Sequence, residues 1–160
     1  MATTHEVRWS VSATPVAKES GDDGGTMAHD TIHENIRKTL GGSGTSETDG
    51  AISQGGTFTN GVSSTPYLQA DNSTTCAIGD GTATFIYVKH TGYLWSSASV
   101  LGNATTDTLK IYADSEHIAT LNAGEAWIIP VPGSSDTVTS GYYAKRGGSS
   151  DIAVEAIGMD

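Results

Sequence analysis

Downstream of residue 65 the chain is written as short apolar runs punctuated by turn residues. Thr82 to His90 (TATFIYVKH) is a continuous β-branched and aromatic run, entered through Gly79-Asp80-Gly81 and left through Thr91-Gly92. That pattern predicts a central strand buried on both faces. Thr108 to Ala113 alternates instead, with Leu109, Ile111 and Ala113 on one side and Thr108, Lys110 and Tyr112 on the other, as in a half-buried antiparallel strand. Glu116 to Leu121 repeats the alternation weakly through Ile118. Glu125 to Val131 groups Trp127, Ile129 and Val131, and Pro130 places that run at an edge or a strand end, because proline cannot donate to a ladder. Tyr142 to Lys145 and Asp151 to Ile157 predict a closing hairpin around Arg146-Gly147-Gly148, and Thr74 to Ile78 and Ser96 to Val100 add short strands. About six to eight strands at this spacing, with no βαβ alternation, predict an all-β domain: an antiparallel β-sandwich or barrel, jelly-roll-like or immunoglobulin-like.

The first 65 residues follow another pattern. His5 to Ser12 alternates, Val7, Trp9 and Val11 against Glu6, Arg8 and Ser10, which suits a strand added to a sheet edge, the chain's own or a neighbour's. Ser20 to Thr26 reads as a polar, glycine-rich loop. Ile32, Ile36 and Leu40 recur at helical spacing before Gly41-Gly42, so a short helix is expected over Ala28 to Leu40. From Gly41 to Gly61 nearly every residue is small and polar, which is linker chemistry.

Composition sharpens this division. Leu, Ile, Val and Phe number nine in residues 1–65 and nineteen in residues 66–160, which also hold two of the three tryptophans. At roughly 1.5–3 kcal/mol per fully buried large apolar side chain, only the second part can offset its chain entropy unaided. The expected organisation is an extended N-terminal arm over 1–65, ordered by a partner, and a β-sandwich domain over 66–160. A net charge of -10, with eighteen acidic against eight basic residues, makes nucleic acid and anionic membrane poor partners. The longest apolar run, Ala126 to Val131, is far short of the roughly 20 residues of a membrane span. The opening MATTHEVRWS lacks the basic start and apolar stretch of a secretion signal. A single cysteine, Cys76, excludes an intrachain disulfide, so the expectation is a chain made in a reducing cytoplasm.

The chemistry-bearing residues do not assemble into a catalytic motif. His29 and His33 stand four apart, but Asp30 occupies the place where a zincin carries Glu and no third ligand is evident, so two solvated histidines are expected. No Gly-x-Ser-x-Gly elbow occurs. His90, at a strand end, and His117, in a turn, are expected at the surface. Cys76, flanked by Thr75 and Ala77, is expected as a buried small hydrophobe. Gly41-Gly42-Ser43-Gly44 lacks the Lys-Ser/Thr ending of a phosphate loop. No catalytic residue, metal or cofactor is expected, and the chain is read as a non-enzyme. Among the aromatic residues Trp95, Trp127, Tyr93, Tyr142 and Tyr143, a sugar-stacking platform is conceivable, with Trp95 and Tyr93 its candidates. Trp127 is expected in the core, and the adjacent Tyr142 and Tyr143 face opposite ways.

The stretch NATTDTLKIYADSEHIATLNAGEAWIIPV, Asn103 to Val131, runs strand, turn, strand, Leu-x-x-Gly-Glu, strand, and ends near Pro. Together with Gly79-Asp80-Gly81 leading into TATFIYVKHTG and the closing DIAVEAIG, it resembles a segment of small virion proteins of tailed bacteriophages, over roughly Asp71 to Ile157. The resemblance implies a capsid decoration or cement protein: a non-enzymatic β-sandwich or barrel that assembles as a dimer or trimer, binds the major capsid protein and reinforces the shell at the virion surface. Val7, Trp9 and Val11 are then the candidates for contact with a neighbouring subunit. The alternative is a carbohydrate-binding or adhesive module of a tail appendage, working through Trp95 and Tyr93.

Overall fold

The structure, a computed structural model, describes residues 5–13, 17–20, 26–29, 40–48, 52–54, 66–73, 76–83, 85–130, 138–139 and 141–159. These residues contain strands and turns and no helix. The helix expected over Ala28 to Leu40 falls mostly outside them; Ala28 and His29 end one strand and Leu40 begins another.

By their contacts the residues group into two compact units, Val7–Thr45 and Met1–Glu6 with Ser46–Asp160. The first contains most of β1 (His5–Ala13) and β4 (Leu40–Thr48), which pair with each other, and the antiparallel pair β2 (Ala17–Ser20) and β3 (Thr26–His29). The second takes in the outer ends of β1 and β4 and then β5 (Ile52–Gln54). Strands β4 and β5 lie in the stretch whose composition reads as a linker. Glycine is depleted in strands and has no side chain to pack, so pairing supplies what composition withholds.

The remaining strands of the second unit are β6 (Leu68–Ala70), β7 (Ala77–Gly79), β8 (Phe85–Ser97), β9 (Val100–Ala104), β10 (Leu109–Ala113), β11 (Glu116–Leu121), β12 (Ala126–Pro130), β13 (Tyr142–Arg146) and β14 (Ile152–Met159). They form two antiparallel sheets, one ordered β12-β8-β14 with β6 and β5 both on β14, the other β11-β10-β13-β7. The pairing is nested: β6 with β14, β7 with β13, β8 with β12, and β10 with β11. Eight strands folded in this way across two sheets make a jelly roll, so the all-β sandwich expected from the sequence takes the first of its two alternative topologies. Strand β9 is an addition, paired with the far half of β8.

Between the sheets lie Ile78, Ile86, Val88, Leu109, Ile111 and Ile152, all buried. Alternation accounts for most of them, for example Leu109 and Ile111 inward with Lys110 half-exposed between. Strand β8 is buried on both faces only at Phe85-Ile86, after which its burial alternates. It also runs past Thr91-Gly92, which the sequence suggests as its end. Gly92 has φ +86°, in the left-handed region, and the pairing with β14 skips between Val154↔His90 and Ile152↔Leu94, so Gly92 marks a bulge inside one long strand. The stretch Ser96 to Val100, expected as a strand, holds the Ala98-Ser99 turn between β8 and β9.

The expected closing hairpin is not one. Strands β13 and β14 belong to different sheets, and the connection between them passes from one sheet to the other. It is clamped by Arg146, whose guanidinium donates to the Asp151 carboxylate at 2.7 Å and to the Ser149 carbonyl at 2.7 Å. Across β8 and β14, Lys89 and Glu155 stand directly opposite and pair at 3.2 Å. That hydrogen bond to Glu155 holds the Lys89 ammonium above the usual lysine range. With both side chains over a third exposed, the pair contributes about 0–1 kcal/mol.

Candidate functional site

In β1 the side chains divide as alternation requires. Glu6, Arg8, Ser10 and Ser12 are exposed, Val7 and Trp9 are half-buried, and Val11 shares their side but is 51% exposed. The partner strand β4 offers Gly42, Ser43, Gly44 and Thr45. Gly44 lies against the Trp9 ring so closely that a Cβ there would overlap it. Glycine is what admits the indole at this point. The indole Nε1 is shielded from solvent and has no hydrogen-bond acceptor among the described residues, a cost of roughly 1–3 kcal/mol for a buried donor. None of the described side chains of β1 and β4 is fully buried, and a two-stranded sheet without a core is at best marginally stable. Val7, Trp9 and Val11 thus form one apolar stripe that is only partly buried, and at Val11 exposed.

The aromatic residues of the sandwich separate. Trp127 packs against the core and Tyr142 is buried in it, where burial, and then the Asp114 carboxylate, raise the Tyr142 phenol above its usual range. Tyr143 faces the other way, on the outer side of its sheet. Only Tyr93 and Trp95 share a side of one strand, in the β8–β9 extension, where their partners are Ala104 and Leu101. Tyr93 is 41% exposed and Val100, at the hairpin tip, 56%. A sugar platform on this hairpin therefore has two aromatic members.

His90 is not at the surface. It sits within β8, 0% exposed, on the inward side with Ile86 and Val88. Its Nδ1 accepts the Gly92 N–H at 3.0 Å, and its Nε2 is 2.8 Å from the Asp107 carbonyl. A carbonyl only accepts, so Nε2 carries the proton and both ring nitrogens are satisfied. The backbone of His90 donates to the Glu125 carbonyl and accepts from Gly124 N–H, each at 2.9 Å. One residue thus ties β8 to the segment before β10 and to the turn between β11 and β12. The Leu121-Asn122-Ala123-Gly124-Glu125 motif supplies that turn. Glu125 N donates to the Asn122 carbonyl at 3.0 Å, and the Glu125 carboxylate accepts Asn122 N–H at 2.7 Å, a bond that holds the carboxyl below its ordinary range. The signal for His90 was in the sequence: it has the parity of Ile86 and Val88.

His117 is exposed, at the second position of β11 rather than in a turn, with Nε2 2.8 Å from the Ala119 carbonyl. His29 is in β3, and His33 lies outside the described residues. Among the described residues no group of three or more His, Cys, Asp or Glu is placed to hold a metal ion. Cys76 is buried, and desolvation pushes its thiol up to about 12. Thiolate is the reactive form, so Cys76 is expected to resist iodoacetamide at pH 7.5 in the folded protein and to label completely in denaturant, as read by intact mass. Rapid labelling of the folded chain would contradict its burial.

Compared with protein-family models, curated proteins and solved structures, the chain matches none of them.

Proposed function

We propose that this chain is a non-enzymatic virion structural protein of a tailed bacteriophage, which binds the major capsid protein and reinforces the shell as a decoration or cement subunit. The observation that carries the proposal is the presence, beside a well-packed jelly roll, of a separate strand unit whose apolar stripe, Val7, Trp9 and Val11, is half-buried at its first two members and exposed at Val11. Jelly rolls recur in viral capsid proteins, although the fold alone does not assign a function. Strand addition to a neighbouring subunit would cover the stripe and complete its backbone pairing. Several ionisable groups of the sandwich serve structure: His90 is fully bonded within the core, Cys76 is buried, and Arg146 and Lys89 are paired with Asp151 and Glu155. The working form is a homo-oligomer, dimer or trimer, at the capsid surface.

The test is addition of purified chain to phage capsids that lack it, followed by sedimentation. Saturable binding at a fixed number of copies per shell is expected; recovery of all the protein in the supernatant would refute the proposal.

Tyr93 and Trp95, sharing one side of the exposed β8–β9 hairpin, support the second reading, a carbohydrate-binding module of a tail appendage. On that reading a glycan array gives hits, and Trp95→Ala reduces them by about tenfold or more, in line with the 0.5–1.5 kcal/mol or more of an aromatic contact beyond its area. A silent array excludes it.

A further inference from the structure

Residues 66–160 contain four cations, Lys89, Lys110, Lys145 and Arg146. Two are held by carboxylates, Lys89 by Glu155 and Arg146 by Asp151. The other two, Lys110 and Lys145, stand directly opposite each other on β10 and β13, with no carboxylate partner among the described residues. Like charges directly opposed in an antiparallel pair destabilise it. The next outward-facing row repeats the theme, with Tyr143 opposite Tyr112 and Tyr112 opposite His117 on β11. The first row ends on Thr120. These two rows of the sheet's outer side contain no carboxylate, in a chain with eighteen.

An aromatic residue positions one of the two charges. The Lys145 ammonium lies 4.8 Å from the Tyr112 ring centroid, a cation–π contact, and the His117 ring packs against the same tyrosine at 5.3 Å, tilted by 44°. The Tyr112 ring is thus occupied by protein, which argues against a stacked sugar. A cation-bearing sheet face of this kind is complementary to carboxylates. Two lysines on a chain of net charge -10 are too few for a phosphate backbone, whose binding grows with the number of phosphates neutralised. A two-fold contact through this face would set each lysine pair against its own copy, because an isologous interface joins a patch to itself. The occupant is therefore a different surface.

We propose that the outer face of the β11-β10-β13-β7 sheet, centred on Lys110 and Lys145, is a docking site for an acidic segment of a partner protein. The site goes beyond the virion assignment and does not depend on it.

The test uses the full chain and a 20-residue oligoglutamate peptide, followed by backbone NMR at low salt. Expected are shifts centred on Lys110, Tyr112, Tyr143 and Lys145, loss of binding at high salt, and about tenfold or greater weakening in Lys110→Gln/Lys145→Gln, as charge-assisted contacts imply. Lys89→Gln, whose lysine is already engaged by Glu155, should bind as the parent does. Lys110→Gln alone relieves the opposed charges and keeps the contact with Tyr112, so its melting midpoint should equal or exceed the parent's while its binding falls. No binding at low salt, binding untouched by the double substitution, tighter binding of an oligothymidylate of equal length, or a change in oligomeric state on substitution would each overturn the proposal. The last of these would assign the face to a second copy of the chain.

Discussion

His90→Leu is expected to destabilise the sandwich by about 2–4 kcal/mol, because it leaves the part-buried Gly92 N–H and Asp107 carbonyl without their imidazole partner at roughly 1–3 kcal/mol each, partly offset by the added apolar surface. For a domain of this size that corresponds to a fall of about 10 °C in melting midpoint. The size of the effect follows from the place of the ring, which joins the bulged strand β8 to the approach to β10, while the same residue's backbone holds the β11–β12 turn. His117→Leu, at an exposed position on β11, should change stability by no more than about 0.5 kcal/mol. Urea titrations of the two variants provide the comparison. Equal midpoints would mean that the buried bonds of His90 carry no net stability.

Removal of residues 1–45 is expected to leave a folded sandwich and to abolish binding to the shell. The cut removes the whole unit Val7–Thr45, together with the six residues before it that group with the sandwich, and spares β5, whose residues Ile52–Gln54 pair with Met159, Gly158 and Ile157 of β14. A longer deletion, to residue 60, would strip an edge from β14 and confuse loss of binding with loss of stability. The buried residues that fill the space between the sheets all lie between Ala70 and Ala156, so the truncated chain retains its core. The deletion removes the stripe of Val7, Trp9 and Val11 together with the strand it rests on. A smaller version of the same test, Trp9→Ala, should weaken shell binding and leave the melting midpoint of the sandwich in place. Trp9 fits over Gly44 and its indole nitrogen has no acceptor among the described residues.

Much of the sandwich was legible one strand at a time. Strand β11 has the bounds its alternation implies, β10 begins one residue later than its own, and β12 is shorter than its own by a residue at each end. Periodicity reports which side of a strand is covered, and for Leu109, Ile111 and Val154 that was enough. It does not report which strand lies alongside. Tyr142–Arg146 and Ile152–Met159 therefore look like a hairpin in sequence, whereas in the fold each joins a different sheet and the jelly roll pairs β14 with β6, β5 and β8. Gly92 reads as punctuation, yet a bulge uses the same residue to prolong a strand.

The candidate surfaces were legible to different depths. The alternation in β1 named Val7, Trp9 and Val11, and their shared side is found. Composition hid their partner, because a strand as poor in side chains as Leu40–Thr48 is indistinguishable from a linker until something pairs with it. Tyr93 and Trp95 were identifiable as aromatic residues, but their separation from Trp127 and Tyr142 depends on which way each strand faces. The Lys110–Lys145 pair could not be found from sequence at all. Thirty-five positions separate the two lysines, and only the β10–β13 register brings them together.

The most direct test of the account compares the full chain with residues 46–160 in sedimentation with phage capsids that lack the protein, both proteins having first been shown to be folded by circular dichroism. Saturable binding of the full chain is expected, and none of the truncated one, which remains folded. Equal binding by both proteins would contradict it.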